Sequence, residues 1–264
     1  MEVIIKPTPE DLAKIAADDI VRLLARKPTA VLGLATGSSP LPIYQELVRR
    51  HKAGEVSFAQ AQAFILDEYV GLPADHPEAY RNVIRREFTD QVDFGDGAVH
   101  SPDVSAPVQE LARNCQEYEA AMAAAGGVDL QLLGVGTDGH IAFNEPASSL
   151  SSRTRVKMLA QETRRDNARF FGGDLSAVPY HAVTQGLATI MEARQLILIA
   201  TGEGKAQAVG QLVEGPVAAL WPVTILQHHP HAKVLIDDAA ASLLQRADYY
   251  RENHEHKMAW QRQA

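Results

Sequence analysis

The chain is nearly free of cysteine, with Cys115 alone among 264 residues. That excludes an internal disulfide framework and suits a reducing compartment. Cys115 itself reads as a small buried hydrophobe on a helix face. No apolar run approaches the roughly 18 residues that a membrane-spanning helix needs. The start, Met1-Glu2-Val3-Ile4-Ile5-Lys6-Pro7, has an acid at position 2 and an apolar stretch too short for a signal peptide. A soluble, cytoplasmic protein with no membrane contact is expected. Positive charge is in the minority, 25 Lys and Arg against 33 Asp and Glu, for a formal net charge of −8. Such a surface repels a phosphate backbone and argues against nucleic-acid binding, yet a few local cations can still hold a small anion. There is also no repeat, low-complexity tract or long Ser/Pro-rich linker, so residues 1–264 are expected to form one domain. With 46% hydrophobic and 22% charged residues the composition is that of a globular chain.

What the sequence does have is alternation. Short apolar runs read as strands buried on both faces: Ala30–Ala35, Ala63–Leu66, Leu130–Leu133, Leu196–Ala200 and Val234–Ile236. Between them lie stripes at helical spacing: Leu12, Ile15, Ile20 and Leu23; Leu41, Tyr44 and Val48; Val108, Leu111, Cys115, Tyr118 and Met122. This pattern implies βαβ crossovers and a mostly parallel sheet covered by helices. The first strand is expected by about residue 30. Residues from about Ser148 to Tyr180, rich in Ser, Arg and Thr, are the least strand-like and read as a lid over the sheet edge. After Asp237 one last helix and a polar tail are expected.

Ligands of such sheets bind beyond the carboxyl ends of the strands. Four apolar runs are followed there by polar, glycine-rich segments: Thr36-Gly37-Ser38-Ser39, Asp67-Glu68-Tyr69, Gly134 through His140, and Thr201-Gly202-Glu203-Gly204-Lys205. Gly134-Val135-Gly136-Thr137-Asp138-Gly139 matches G-x-G-x-x-G, but the following Ile141-Ala142-Phe143-Asn144-Glu145-Pro146 is not helical, so a dinucleotide cofactor is not expected. The glycines instead let Asp138, His140 and Glu145 converge, with a carboxylate fixing the imidazole tautomer. Gly202-Glu203-Gly204-Lys205-Ala206 lacks the Walker spacing and its hydroxyl, yet a lysine on the first turn of a helix is placed to hold a phosphate. Thr36 to Ser39 offer an anion cradle ahead of a helix starting near Pro40; capping by Ser38 or Ser39 explains the serines equally well. Either acid of the Asp67-Glu68 pair, if partly desolvated, gains enough basicity to take a proton from carbon. No metal is assigned: neither the His140 group nor His228-His229-Pro230-His231 has the usual ligand spacing.

These same stretches, together with Leu66 to Leu72 and Leu226-Gln227-His228-His229-Pro230, resemble the glucosamine-6-phosphate deaminases in family order over nearly the whole chain. The His140 segment is the most specific part, separating the deaminases from the phosphogluconolactonases that share the fold. The resemblance implies an open, three-layer, Rossmann-like α/β fold and a cofactor-free conversion of glucosamine 6-phosphate and water to fructose 6-phosphate and ammonia. It implies Asp67 as the base moving a proton between C2 and C1, and His140, tuned by Asp138 and Glu145, as the group assisting ring opening. It implies Thr36, Gly37, Ser38, Arg169 and Lys205 as the phosphate site. Family members range from monomers to hexamers, so a homo-oligomer is compatible with it. Ser148, Arg155 and Lys157 match positions at which some members bind the activator N-acetylglucosamine 6-phosphate, but Met158 stands where those carry threonine, and little activation is expected. The rival readings are another sugar-phosphate enzyme of this architecture, such as a lactonase or pentose-phosphate isomerase, and a non-catalytic sugar-phosphate sensor. The sensor reading needs an N-terminal helix-turn-helix, for which a first strand near residue 30 leaves no room.

Overall fold

The computed structural model describes residues 1–258. Its order along the chain begins β1 (Glu2–Lys6), α1 (Pro9–Arg26), β2 (Val31–Leu34), α2 (Leu41–Lys52), β3 (Gln62–Ile65), β4 (Asp67–Tyr69), α3 (Tyr80–Glu87) and β5 (Val99–His100). It continues with α4 (Leu111–Ala124), β6 (Leu130–Leu133), β7 (Arg155–Met158), α5 (Gln161–Asn167), β8 (His181–Thr184) and α6 (Leu187–Met191). It closes with β9 (Gln195–Ala200), α7 (Ala206–Glu214), β10 (Ala232–Asp237) and α8 (Ala247–Glu255). Seven strands form one all-parallel sheet in the order β1-β10-β9-β6-β2-β3-β5. A small antiparallel sheet, β4-β8-β7, stands beside it.

Period-two alternation divides each central strand between two helical layers. In β9, Leu196, Leu198 and Ala200 join the layer of α4, α6 and α7, built on Tyr118, Met122, Leu187, Ile190, Val209 and Leu212. Ile197 and Ile199 face the opposite layer, where α1 and α2 bring Leu12, Ile20, Ile43, Tyr44 and Leu47. Both faces are covered, which is why the strands read as unbroken apolar runs. The sequence expectation of a mostly parallel sheet with helices on both faces holds.

Three expectations need correction. The first strand is not near residue 30: Val3, Ile4 and Ile5 form β1, which pairs with β10 at the sheet edge. A five-residue strand with only three apolar residues gives no periodic signal of its own. Val108 does not belong to the α4 stripe; it sits in a 3-10 turn before the helix and is 72% exposed, whereas Leu111, Cys115, Tyr118 and Met122 are buried. The segment 148–180 contains a strand, β7, whose burial is only partial because it lies at the edge of the small sheet. Beyond Asp237 the chain first makes turns and then α8, as expected, but the last six residues of the tail lie outside the described part.

From β2 the chain moves to β3 and β5 on one side, then returns to β6, β9 and β10 on the other. The reversal lies between β2 and β6, so the loops after their carboxyl ends diverge and leave a crevice. None of the helices among the described residues is long and apolar enough to cross a membrane.

One close contact fixes the start of α6. Gly186, between β8 and α6, lies against the backbone of Ser152, and a Cβ there would fall 2.0 Å from the Ser152 carbonyl oxygen. That carbonyl accepts from Ala188 N–H at 3.0 Å, and the Ser152 hydroxyl accepts from Leu187 N–H at 3.0 Å, so α6 is capped from a distant segment. Gly186→Ala is expected to lower unfolding stability by about 1–3 kcal/mol, the usual cost of overpacking a close contact. Chemical denaturation gives the value, and a variant as stable as the parent contradicts the contact.

Candidate active site

At this switch point lies a cavity of about 540 Å³, inside the roughly 300–1,000 Å³ range of small-molecule sites. Its wall is drawn from the ends of several strands: Thr36 to Ser39 after β2, Asp67 at the start of β4, Gly134 to Gly136 and His140 after β6, and Thr201 and Lys205 after β9. Four segments far apart in sequence therefore meet, as their positions after buried strands require. The segment 148–180 closes another side through Thr163, Asp166, Asn167, Arg169, Phe170 and Phe171.

One end of the cavity is suited to an anion. Gly37 adopts φ of 100°, a conformation that L side chains rarely take, so the loop after β2 turns sharply ahead of α2. The N-cap of α2 is Pro40, with no side chain bonded to the helix start, so capping does not account for Ser38 and Ser39. Lys205 closes a 3-10 turn leading into α7. Burial pulls its pKa below the usual lysine value; the Asp166 charge opposes that and the Arg169 charge adds to it. Arg169 is carried on the 3-10 turn Ala168–Phe171 that follows α5. The turn is anchored by Asn167, whose amide donates to the Tyr69 hydroxyl at 2.8 Å, and by Phe171, whose ring meets Tyr69 edge-on.

The other functional groups are acidic or basic in the proton-transfer sense. Asp67 is buried, and that burial, reinforced by the charge of Glu68, pushes its carboxyl well above the usual carboxylate range. Glu68 turns away from the cavity and accepts from the N–H groups of Tyr69, Tyr80 and Arg81 at 2.8–2.9 Å, binding the first turn of α3. Burial raises its pKa too, although those N–H groups work against the rise. Consecutive strand residues point to opposite sides, so of the two acids only Asp67 lines the cavity.

His140 Nδ1 donates to Asp138 Oδ1 at 2.7 Å and stands 4.0 Å from Glu145 Oε2. With Nδ1 committed, Nε2 is the ring atom left to exchange a proton with a ligand. Burial pulls the Asp138 carboxyl upward, but its bonds to His140 and the attraction of that residue outweigh this and leave it below the usual range. Asp138 and Glu145 do not line the cavity; they stand behind His140. The turn that carries them is tight: a Cβ on Gly136 would lie 2.2 Å from the His140 ring, and Ala142 takes φ of 51°. Asp138, His140 and Glu145 each offer an atom within 4.8 Å of the others, close enough to share a cation. In this arrangement they are engaged as hydrogen-bond partners, with Glu145 accepting from Ala160 N–H and the Thr163 hydroxyl. His229 is structural, its two ring nitrogens meeting the Ala193 carbonyl and the His231 N–H.

The profile of the family described as glucosamine-6-phosphate isomerases/6-phosphogluconolactonase matches residues 7–236. The chain belongs to that family. Within the glucosamine-6-phosphate isomerase/6-phosphogluconolactonase family, it is 64% identical over 261 residues to the glucosamine-6-phosphate deaminases of Beutenbergia cavernae and Mycolicibacterium smegmatis, with 99% of each chain covered. A solved structure described as a monomeric glucosamine-6-phosphate deaminase superposes with a TM-score of 0.88 at 39% identity, covering 92% of this chain and all of that one. The 6-phosphogluconolactonase of Trypanosoma cruzi superposes with a TM-score of 0.74 at 21% identity, covering 92% of this chain and 97% of its own, a likeness of fold alone.

Two residues that support the site carry no signal in the sequence. Tyr80 lines the cavity and donates to the Tyr69 hydroxyl at 3.3 Å, the same hydroxyl that anchors Asn167. Asp237 accepts from Gly202 N–H at 2.9 and 3.0 Å and so fixes the loop before Lys205. Neither has a spacing signal: Tyr80 reads as an ordinary aromatic and Asp237 as a strand-end acid.

Burial raises the folded-state pKa of Asp67 above its unfolded value of about 4. Between those two values the folded protein holds a proton that the unfolded chain has released, so stability falls as pH rises through the window. Asp67→Asn has no charge to bury. Its thermal midpoint is expected to gain on that of the parent between about pH 4.5 and pH 8, and a gap that stays constant over this range contradicts the burial.

Proposed function

We propose that the protein converts glucosamine 6-phosphate and water to fructose 6-phosphate and ammonia. The observation that carries the reading is the shared cavity: Asp67 and His140 open on the space that is bounded elsewhere by Thr36, Gly37, Ser38, Arg169 and Lys205. A dianion at one end leaves the reacting carbons of a hexose at the other, so binding orients the chain for proton transfer. The deaminase relatives, at 64% identity over almost the full length, favour this chemistry over lactone hydrolysis.

In this reading the 6-phosphate is held by the N–H groups and hydroxyls of the Thr36–Ser38 loop and by the cations Lys205 and Arg169. The segment 148–180 acts as a lid, since it carries Arg169. His140, held through Nδ1 by Asp138, relays a proton from the anomeric hydroxyl to the ring oxygen and opens the pyranose. Asp67 then takes the C2 proton of the open aldehyde while a proton passes from the 2-ammonium group to O1, giving an enolamine, and Asp67 returns its proton to C1. The C2 iminium that results adds water and expels ammonia, leaving the ketose. A carboxylate freed from water is basic enough for the first of these steps and acidic enough for the second. After the ring opening, every bond change is a proton transfer, an addition of water or a loss of ammonia.

Purified protein supplied with glucosamine 6-phosphate is expected to release ammonia and fructose 6-phosphate in equal amounts, and Asp67→Asn to slow turnover by at least about 100-fold. Absence of either product, or a variant of near-normal turnover, refutes the reading. Lys205→Ala is expected to weaken binding of the phosphorylated sugar by about tenfold or more while leaving binding of free glucosamine unchanged. Equal effects on both, by calorimetry, remove Lys205 from the phosphate site.

A further inference from the structure

Glu145 is buried, and its orientation is set by contacts outside its own loop. One oxygen accepts from Ala160 N–H and the other from the Thr163 hydroxyl, each at 3.0 Å. Oxygen Oε2, the one that Thr163 holds, is also the one 4.0 Å from His140 Nδ1. Ala160 and Thr163 form the N-terminal turn of α5, the helix that runs on into the Arg169 turn. Thr163 is itself buried and lines the cavity. Of the other charged groups, Asp138 comes from the same loop as His140, while Asp67 from β4 and Lys205 from the turn before α7 line the cavity on which the imidazole opens. None of these is bonded to Glu145, so the pose of its carboxylate depends on α5.

We propose that Thr163 is a positioning residue, whose hydroxyl holds Glu145 against His140 and makes that arrangement depend on the docking of α5. The inference rests on the deaminase reading and deepens it. Arg169 and Thr163 sit on one continuous element, α5 with its following turn. A phosphate bound by Arg169 therefore steadies the same helix that completes the imidazole site.

The test is a double-mutant cycle with Glu145→Gln, read as kcat and KM for glucosamine 6-phosphate. Thr163→Val keeps the shape but removes the donor, and is expected to lower kcat about tenfold, the usual effect of one lost hydrogen bond to a charged group, with KM within about twofold. Thr163→Ser restores the hydroxyl and is expected to recover kcat to within about twofold of the parent. In the Glu145→Gln background, Thr163→Val is expected to cost less than about twofold further. A full tenfold loss in that background, an unchanged kcat in the single variant, or a rise in KM that serine does not reverse each overturns the proposal. A parent protein that releases no ammonia ends the deaminase reading and this inference together, whereas an active parent indifferent to Thr163→Val ends only the inference.

Discussion

The structure turns on keeping one carboxylate out of water. Asp67 sits at the junction where the chain leaves the parallel sheet after β3 and enters the small antiparallel sheet as β4. A charge there is costly, and the cost is what makes the group basic. Its neighbour Glu68 has the opposite treatment: the N–H of Tyr69 and two N–H groups at the start of α3 receive it on the far side of the strand. Two adjacent acids of nearly equal intrinsic strength thus become a structural acceptor and a group exposed to ligand. The difference comes from strand geometry and not from residue type.

Around that carboxylate the cavity is polarised. Lys205, Arg169 and the loop at Gly37 line it with cations and donors, while His140 opens on it with Asp138 and Glu145 behind. Desolvation acts in opposite senses on the two kinds of group. It weakens the hold of Lys205 on its proton and strengthens that of Asp67. The α5 helix and its turn serve both groups, holding Glu145 at the start and carrying Arg169 beyond the finish.

The parts of this arrangement that were legible in the sequence are those dictated by long-period burial. Strands buried on both faces give unbroken apolar runs, and the rule that ligands gather past their carboxyl ends points to Thr36, Asp67, His140 and Lys205. What was not legible are the contacts made by single residues across space. β1 and β7 are short edge strands, too brief for a pattern. Pro40 rather than a serine ends up as the N-cap of α2. Thr163 sits in Gln161-Glu162-Thr163-Arg164, an unremarked polar stretch, and its partner Glu145 is 18 positions away. Tyr80 and Asp237 likewise acquire their roles only when the chain has folded. Arg169 had no signal of its own and was reached by family resemblance alone, because a cation on a connecting turn looks like any solvated arginine.

The central claim is that the fold holds Asp67 in a desolvated, strongly basic state. A titration of its carboxyl carbon by 13C NMR, with the signal assigned by its loss in Asp67→Asn, reads that state directly. The account predicts a midpoint well above the ordinary carboxylate range of about 4. A midpoint at or below that range would mean that the carboxylate is solvated or paired, and would contradict the account.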